Sequence, residues 1–218
     1  MLNEIYKYFV QYKDIYGSEL YINNDSLNKI ESAGQKFLFE YFNSIKNCFD
    51  CSLGHTRKKF VFGEGNPNAD IVFIGEAPGE KEDILGRPFV GKSGQLLDKI
   101  LLAINLKRED VYILNIIKCR PPNNRNPLPE EIEKCEKYLT KQLEIIKPKL
   151  IVSLGRVSSV SILKNNESLS NLRNKIHKYK NIDLIVTYHP AALLRNPNLK
   201  KNAWEDFKLI KSKYIDAN

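Results

Sequence analysis

The segment Asp70-Ile-Val-Phe-Ile-Gly75 reads as a β-strand buried on both faces, with four apolar residues in a row, three of them β-branched, before a closing glycine. Three further runs have the same character: Val111–Ile117 (VYILNII), Leu150–Gly155 (LIVSLG) and Asp183–Tyr188 (DLIVTY). Helical patterns fill the intervals. Ser93–Leu106 lines up Leu96, Leu97, Ile100, Leu101 and Ile104 on one face, and Pro129–Ile146 opens on Pro-Glu-Glu, a favourable first turn. Arg156–Leu163 and Ala203–Tyr214 follow the third and fourth runs. Strands alternating with helices predict an α/β fold, a three-layer α/β/α sandwich around a central four-stranded parallel sheet. In such a sheet, ligands gather beyond the carboxyl ends of the strands. Those ends carry Gly75-Glu-Ala-Pro-Gly, Asn115, Gly155-Arg156 and His189-Pro190, so the four should share one rim.

The 218 residues suit one domain over 1–218, with residues 1–45 as a helical extension packed on the core (Leu2–Tyr16 and Ser26–Asn47). Lysine and arginine number 34 against 26 acids, and the net charge of +8 suits a polyanion such as nucleic acid. No apolar run nears the roughly 20 residues that span a bilayer. The charged N-terminus lacks a secretory h-region. A monomer in the cytoplasm, with no membrane partner, is the expectation.

Cys48 and Cys51 form a C-x-x-C pair; Cys119 and Cys135 have fifteen residues between them. In a reducing compartment four cysteines are metal ligands or free thiols rather than disulfides. Four thiolates suit zinc or a [4Fe–4S] cluster, and the wide second spacing departs from paired zinc knuckles. The plain alternative is four unrelated core cysteines.

Gly75-Glu-Ala-Pro-Gly-Glu-Lys-Glu-Asp83 with Gly86-Arg-Pro-Phe-Val-Gly-Lys-Ser-Gly-Gln-Leu-Leu97 resembles the first motif of the family 4 iron–sulfur uracil-DNA glycosylases. Asn115-Ile-Ile-Lys-Cys-Arg-Pro-Pro122, with Asn124-Arg125 and Pro127, resembles the second, and His189-Pro-Ala-Ala-Leu-Leu-Arg195 the third. The cysteine spacing is similar as well, and the resemblance covers about residues 45–213. A related group that traps DNA through a histidine in a basic insertion differs, since Asn115–Pro129 has neither.

The resemblance implies monofunctional hydrolysis of the N-glycosidic bond of uracil in single- or double-stranded DNA. It makes Cys48, Cys51, Cys119 and Cys135 ligands of a [4Fe–4S] cluster of structural role. Such an enzyme must flip its nucleotide out of the stack. Phe89 is then the stacking face. Asn115 would accept from uracil N3–H and donate to O4, where cytosine reverses both groups. His189, a sufficient donor when neutral, and the backbone N–H groups near Glu76 and Ala77 would stabilise the departing uracil anion, beside Gly75. Glu76 is the first choice to orient water and stabilise the sugar cation, with Glu82 and Asp83 as alternatives. The resemblance also gives Glu82 a part in crowding the thymine methyl. Leu193 and Leu194 are candidate duplex wedges. Arg195, Arg87, Lys92, Arg120 and Arg125 are candidate phosphate contacts. His55, His177 and the C-terminal lysines read as structural or solvated. The competing reading is an iron–sulfur nucleic-acid-binding module without glycosylase activity, which leaves Glu76, Phe89, Asn115 and His189 unexplained.

Overall fold

The structure, a computed structural model, describes residues 33–216. The expected helix Leu2–Tyr16 and the first part of Ser26–Asn47 lie outside them. The described part of the latter is α1 (Ala33–Ile45), followed by the short α2 (Leu53–Thr56). Then come β1 (Glu64–Gly65), β2 (Ile71–Gly75), α3 (Glu80–Leu85), α4 (Lys92–Ala103) and β3 (Tyr112–Asn115). Next are α5 (Pro129–Ile146), β4 (Leu150–Leu154), α6 (Arg156–Leu163), α7 (Leu169–Leu172), β5 (Ile176–Tyr179) and β6 (Ile182–Thr187). The segment closes with α8 (Pro190–Arg195) and α9 (Lys200–Tyr214).

The four anticipated strands form the parallel centre, but the sheet has six strands, in the order β1-β3-β2-β4-β6-β5. The expectation of a four-stranded sheet is corrected by two antiparallel edges, β1 on β3 and β5 on β6. Both edges escape an apolar-run reading. β1 is two residues long, and β5 alternates exposed with half-buried positions. The β5–β6 turn uses Lys180 at φ 53° rather than a glycine. Mixed sheets of this kind commonly add an antiparallel edge to a parallel centre.

Alternation along the strands sends side chains into two cores. Val72, Ile74, Leu114, Ile151 and Val186 meet α1 and α5 through Leu38, Tyr138, Leu139 and Leu143. Ile71, Phe73, Ile113, Val152 and Ile185 meet α4 and α9 through Leu97, Leu101, Phe207 and Ile210. The result is the expected three-layer sandwich. The chain leaves β2 toward β3 but leaves β4 toward β6, on the opposite side. Connections diverging in this way open a crevice at the carboxyl ends of neighbouring strands.

Candidate active site

Parallel register carries the strand ends to one rim, with Gly75 beside Asn115 and Leu154 beside Thr187. The segments beyond them stay tied together: the carbonyls of Gly75 and Glu76 accept from Ile116 and Ile117 N–H at 3.0 and 3.3 Å. Gly75 has no room for a side chain. A Cβ there would sit 2.4 Å from Asn115 Oδ1 and 2.5 Å from Phe89 Cζ. Gly75, Asn115 and Phe89 thus meet at one point. Asn115 is 2% exposed, and its buried Oδ1 has no hydrogen-bond partner among the described residues. A buried, unanswered carbonyl oxygen costs roughly 1–3 kcal/mol, so this atom is primed for a donor from outside the protein.

Phe89 is held in a strained conformation. Its φ of 51° lies in the left-handed region, which an aromatic residue seldom adopts. Two side chains pin it. Arg108 Nη1 donates to the Phe89 carbonyl at 3.0 Å and Nη2 donates to that of Pro88, while ion pairs to Glu64 and Asp98 hold the guanidinium. From the other side, Glu82 Oε1 accepts from Val90 and Gly91 N–H, both at 2.8 Å. The Phe89 ring leans toward His189, with centroids 5.5 Å apart and planes inclined by 30°.

His189 is the N-cap of α8, and its Nδ1 accepts from Ala191 N–H at 3.1 Å. Burial, aided by Arg195 and opposed by Glu82, pulls its pKa from 6.5 to about 4. The ring is therefore neutral at pH 7, and the accepting Nδ1 leaves the proton on Nε2, which becomes a neutral donor. Gly155 makes way for it at φ 89°, since a Cβ there would come within 2.9 Å of His189 Cβ. Beneath lies a buried ion pair. Arg173 Nε and Nη2 donate to the Asp206 carboxylate at 2.8 and 3.0 Å, and Thr187 Oγ1 donates to it at 2.7 Å. The Arg173 guanidinium also stacks 4.3 Å from the Tyr188 ring, fixing the two residues before His189.

Glu76 and Ala77 are half-buried just past β2. Burial raises the Glu76 pKa, and Arg195 partly offsets the rise. Asp83 is not at the rim: it is 2% exposed, and its Oδ1 accepts from Lys58 N–H at 2.9 Å. Leu193 is likewise turned inward at 2% exposure, which corrects its candidacy as a wedge, whereas Leu194 is 46% exposed. The side chain of Arg195 is exposed. Arg87 is committed to Glu64, and Arg125 is bidentate on Glu131. His177 Nε2 bonds the Leu172 carbonyl at 2.7 Å, a structural place.

The four cysteines line one small cavity with Arg57, Phe60 and Tyr138. Arg57 Nη1 lies 3.5 Å from Cys119 Sγ and 2.5 Å from the Cys48 carbonyl, while Tyr138 Oη lies 3.0 Å from Cys48 Sγ. Burial pushes the Cys119 thiol up to about 12 and that of Cys135 to about 11, so each needs a cation to become a thiolate. Among the described residues, no three potential ligands converge tightly enough for a single metal ion. Sulfurs spread around a cavity fit a cuboidal cluster, with one thiolate per iron, better than one tetrahedral zinc.

A family model described as the uracil DNA glycosylase superfamily matches residues 62–208. The type-4 uracil-DNA glycosylase of Archaeoglobus fulgidus is 47% identical over 174 residues, 76% of this chain and 87% of that protein. Those of Saccharolobus solfataricus and Thermotoga maritima are 49% and 45% identical, over 77% of this chain in each case and 82% and 90% of theirs. The chain belongs to the type-4 uracil-DNA glycosylases. Within this type-4 glycosylase, sequence reading missed the residues that hold the site: Arg108, Arg173, Asp206, Arg57 and Lys118. An arginine far along the chain announces no contact. Lys118 did carry a signal, as a cation between apolar Ile117 and Cys119 in a strand-end segment.

Proposed function

We propose that this protein hydrolyses the N-glycosidic bond of uracil in DNA, leaving an abasic site for base excision repair. The unpartnered, buried Oδ1 of Asn115 beside Phe89 carries the reading. An extruded uracil stacks on Phe89, gives its N3–H to Oδ1 and takes a bond at O4 from the amide nitrogen. Cytosine offers a lone pair at N3 and a donor at C4, so both contacts turn repulsive. As the bond to the sugar breaks, charge gathers on O2, where the neutral His189 Nε2–H donates without first losing a proton to the leaving group. Glu76 orients water on the sugar, its carboxylate stabilising the developing cation. Leu194, the exposed member of its pair, fills the space left in the stack, and Arg195 meets a phosphate.

The cysteine cavity supports a [4Fe–4S] cluster held by Cys48, Cys51, Cys119 and Cys135, which supplies a crosslink rather than electrons to a reaction that needs none. The test is incubation with an oligonucleotide bearing one uracil, without added metal or nucleotide. Free uracil and an alkali-labile strand are expected, with thymine in T:G a poor substrate. An intact, alkali-stable strand would leave only the binding-module reading. Anaerobically purified protein is expected to be brown, with about four irons per chain; a colourless protein with stoichiometric zinc overturns the cluster.

A further inference from the structure

Asn115, Phe89 and His189 make up the slot, and each is held by a neighbour. The Asn115 carbonyl accepts from Lys118 Nζ at 2.7 Å, and His189 Nδ1 accepts from the first turn of its own helix. Phe89 differs from both, because its φ of 51° is a conformation that an aromatic residue disfavours. Something must hold it there, and every residue from Arg87 to Gly91 is tied by a charged side chain. Arg87 grips Glu64 at 2.6 and 2.7 Å. The carbonyls of Pro88 and Phe89 accept from Arg108, and the N–H groups of Val90 and Gly91 donate to Glu82. The donors of Arg108 are turned inward. Nε reaches Glu64 Oε1 and Nη1 reaches Asp98 Oδ1, both at 3.1 Å, while the two Nη atoms serve the two loop carbonyls. Four of the five guanidinium N–H groups are thereby engaged, and the side chain is 20% exposed. Little of it is left to meet a phosphate. A planar guanidinium can span two successive carbonyls in this way, where a single ammonium cannot. We propose that Arg108 is a positioning residue for the base-stacking ring, holding Phe89 in its disfavoured conformation so that the stacking face stands in the slot before a base arrives.

This role rests on the uracil pocket proposed above. Without the fork, Phe89 returns to negative φ, its Cα–Cβ bond turns, and the ring leaves the point it shares with Gly75 and Asn115. Uracil then meets a stacking face in only a fraction of the molecules, and its capture falls by that fraction. DNA without uracil is bound as before, since Arg108 makes no contact with it.

A double-mutant cycle tests the role. Single-turnover release of uracil from a single-uracil oligonucleotide is measured at saturating protein for the wild type, Phe89→Ala, Arg108→Gln and the double variant. Arg108→Gln is expected to slow release at least about fivefold, the population shift set by the lower end of such backbone strain. In the Phe89→Ala background the same substitution should change the rate by less than about twofold, because no ring remains to be placed. Arg108→Lys keeps a cation beside Glu64 and Asp98 but loses the fork. It serves with the same expectation if the glutamine variant does not fold. Affinity for the matching thymidine oligonucleotide, and its slope against salt, should equal those of the wild type. An equal loss in both backgrounds makes Arg108 a general support of the fold and overturns the proposal. A lowered salt slope makes it a phosphate contact and overturns it too, as does wild-type release by Arg108→Gln. Wild-type protein that releases no uracil, or Phe89→Ala that releases it at the wild-type rate, overturns the pocket itself.

Discussion

At the scale of single residues, protonation states decide how the pocket works. His189 with a pKa near 4 cannot be the group that titrates near neutrality. Burial raises the Glu76 pKa, so in the proposed mechanism the acid limb of the cleavage rate is expected from its carboxylate, above the usual glutamate range. Single-turnover rates against pH should show that limb in the wild type and lose it in Glu76→Gln, with no inflection near 6.5. An inflection there, abolished in His189→Ala, would contradict a neutral histidine. The same low pKa makes His189 a stability element. The unfolded chain takes up its proton near 6.5 and the folded one only near 4, so stability from this group is whole above 6.5 and falls as pH drops through that window. His189→Ala removes one donor to a developing anion and should cost roughly 10²–10³ in rate, with DNA affinity nearly unchanged. Asn115→Asp, measured on uracil and cytosine oligonucleotides in parallel, should lower uracil cleavage and narrow the gap between the two bases. The residues proposed to meet the base, Asn115 and His189, were legible in sequence because each sits at or just past the end of a strand. Asp83 was a false candidate: nothing in its neighbourhood along the chain reveals that its carboxylate caps Lys58.

At the scale of elements, the four parallel strands were legible because burial on both faces forces continuous apolar runs. Pro129–Ile146 and Arg156–Leu163 were legible with their bounds, since a proline at N1 and a glycine at a strand end mark their starts. The edge strands were not, for each satisfies one neighbour only, β1 is two residues long, and β5 carries His177 and Lys178. Nor could pattern show what fixes β6 beneath His189. The Arg173–Asp206 pair, with side chains 6% and 1% exposed, joins the segment after α7 to α9 and holds Thr187. Removing one partner strands the other charge in the interior. Asp206→Ala should therefore cost about 3–5 kcal/mol in denaturant unfolding. It should also lower the cleavage rate beyond what lost stability explains, because Tyr188 and His189 lose their anchor. A fully active variant at a temperature where it remains folded would remove this network from the positioning of His189.

At the scale of the whole molecule, selectivity and affinity arise from different physics. In the proposed pocket, Asn115 and neutral His189 would act through short contacts in a buried slot that salt screens little. DNA affinity is proposed to draw instead on the net charge of +8 and on exposed cations such as Lys92 and Arg195. Not every basic residue contributes, since Arg87 and Arg125 are already engaged by Glu64 and Glu131. Each phosphate contact adds roughly 0.9 to the slope of log affinity against log salt, so about four contacts would weaken binding by roughly 10² over a fourfold rise in salt. Arg195→Ala should lower that slope by about one contact's worth, while Arg87→Ala, already paired within the protein, should leave it nearly unchanged. Across the same range, the single-turnover rate at saturating protein and the preference for uracil over cytosine should hold within about twofold, because neither depends on screened charge. Equilibrium binding and rapid-quench cleavage at several salt concentrations measure both quantities on one preparation. If the uracil preference fell in step with affinity, base choice would be made by charge at the surface, and the buried asparagine would not be its source.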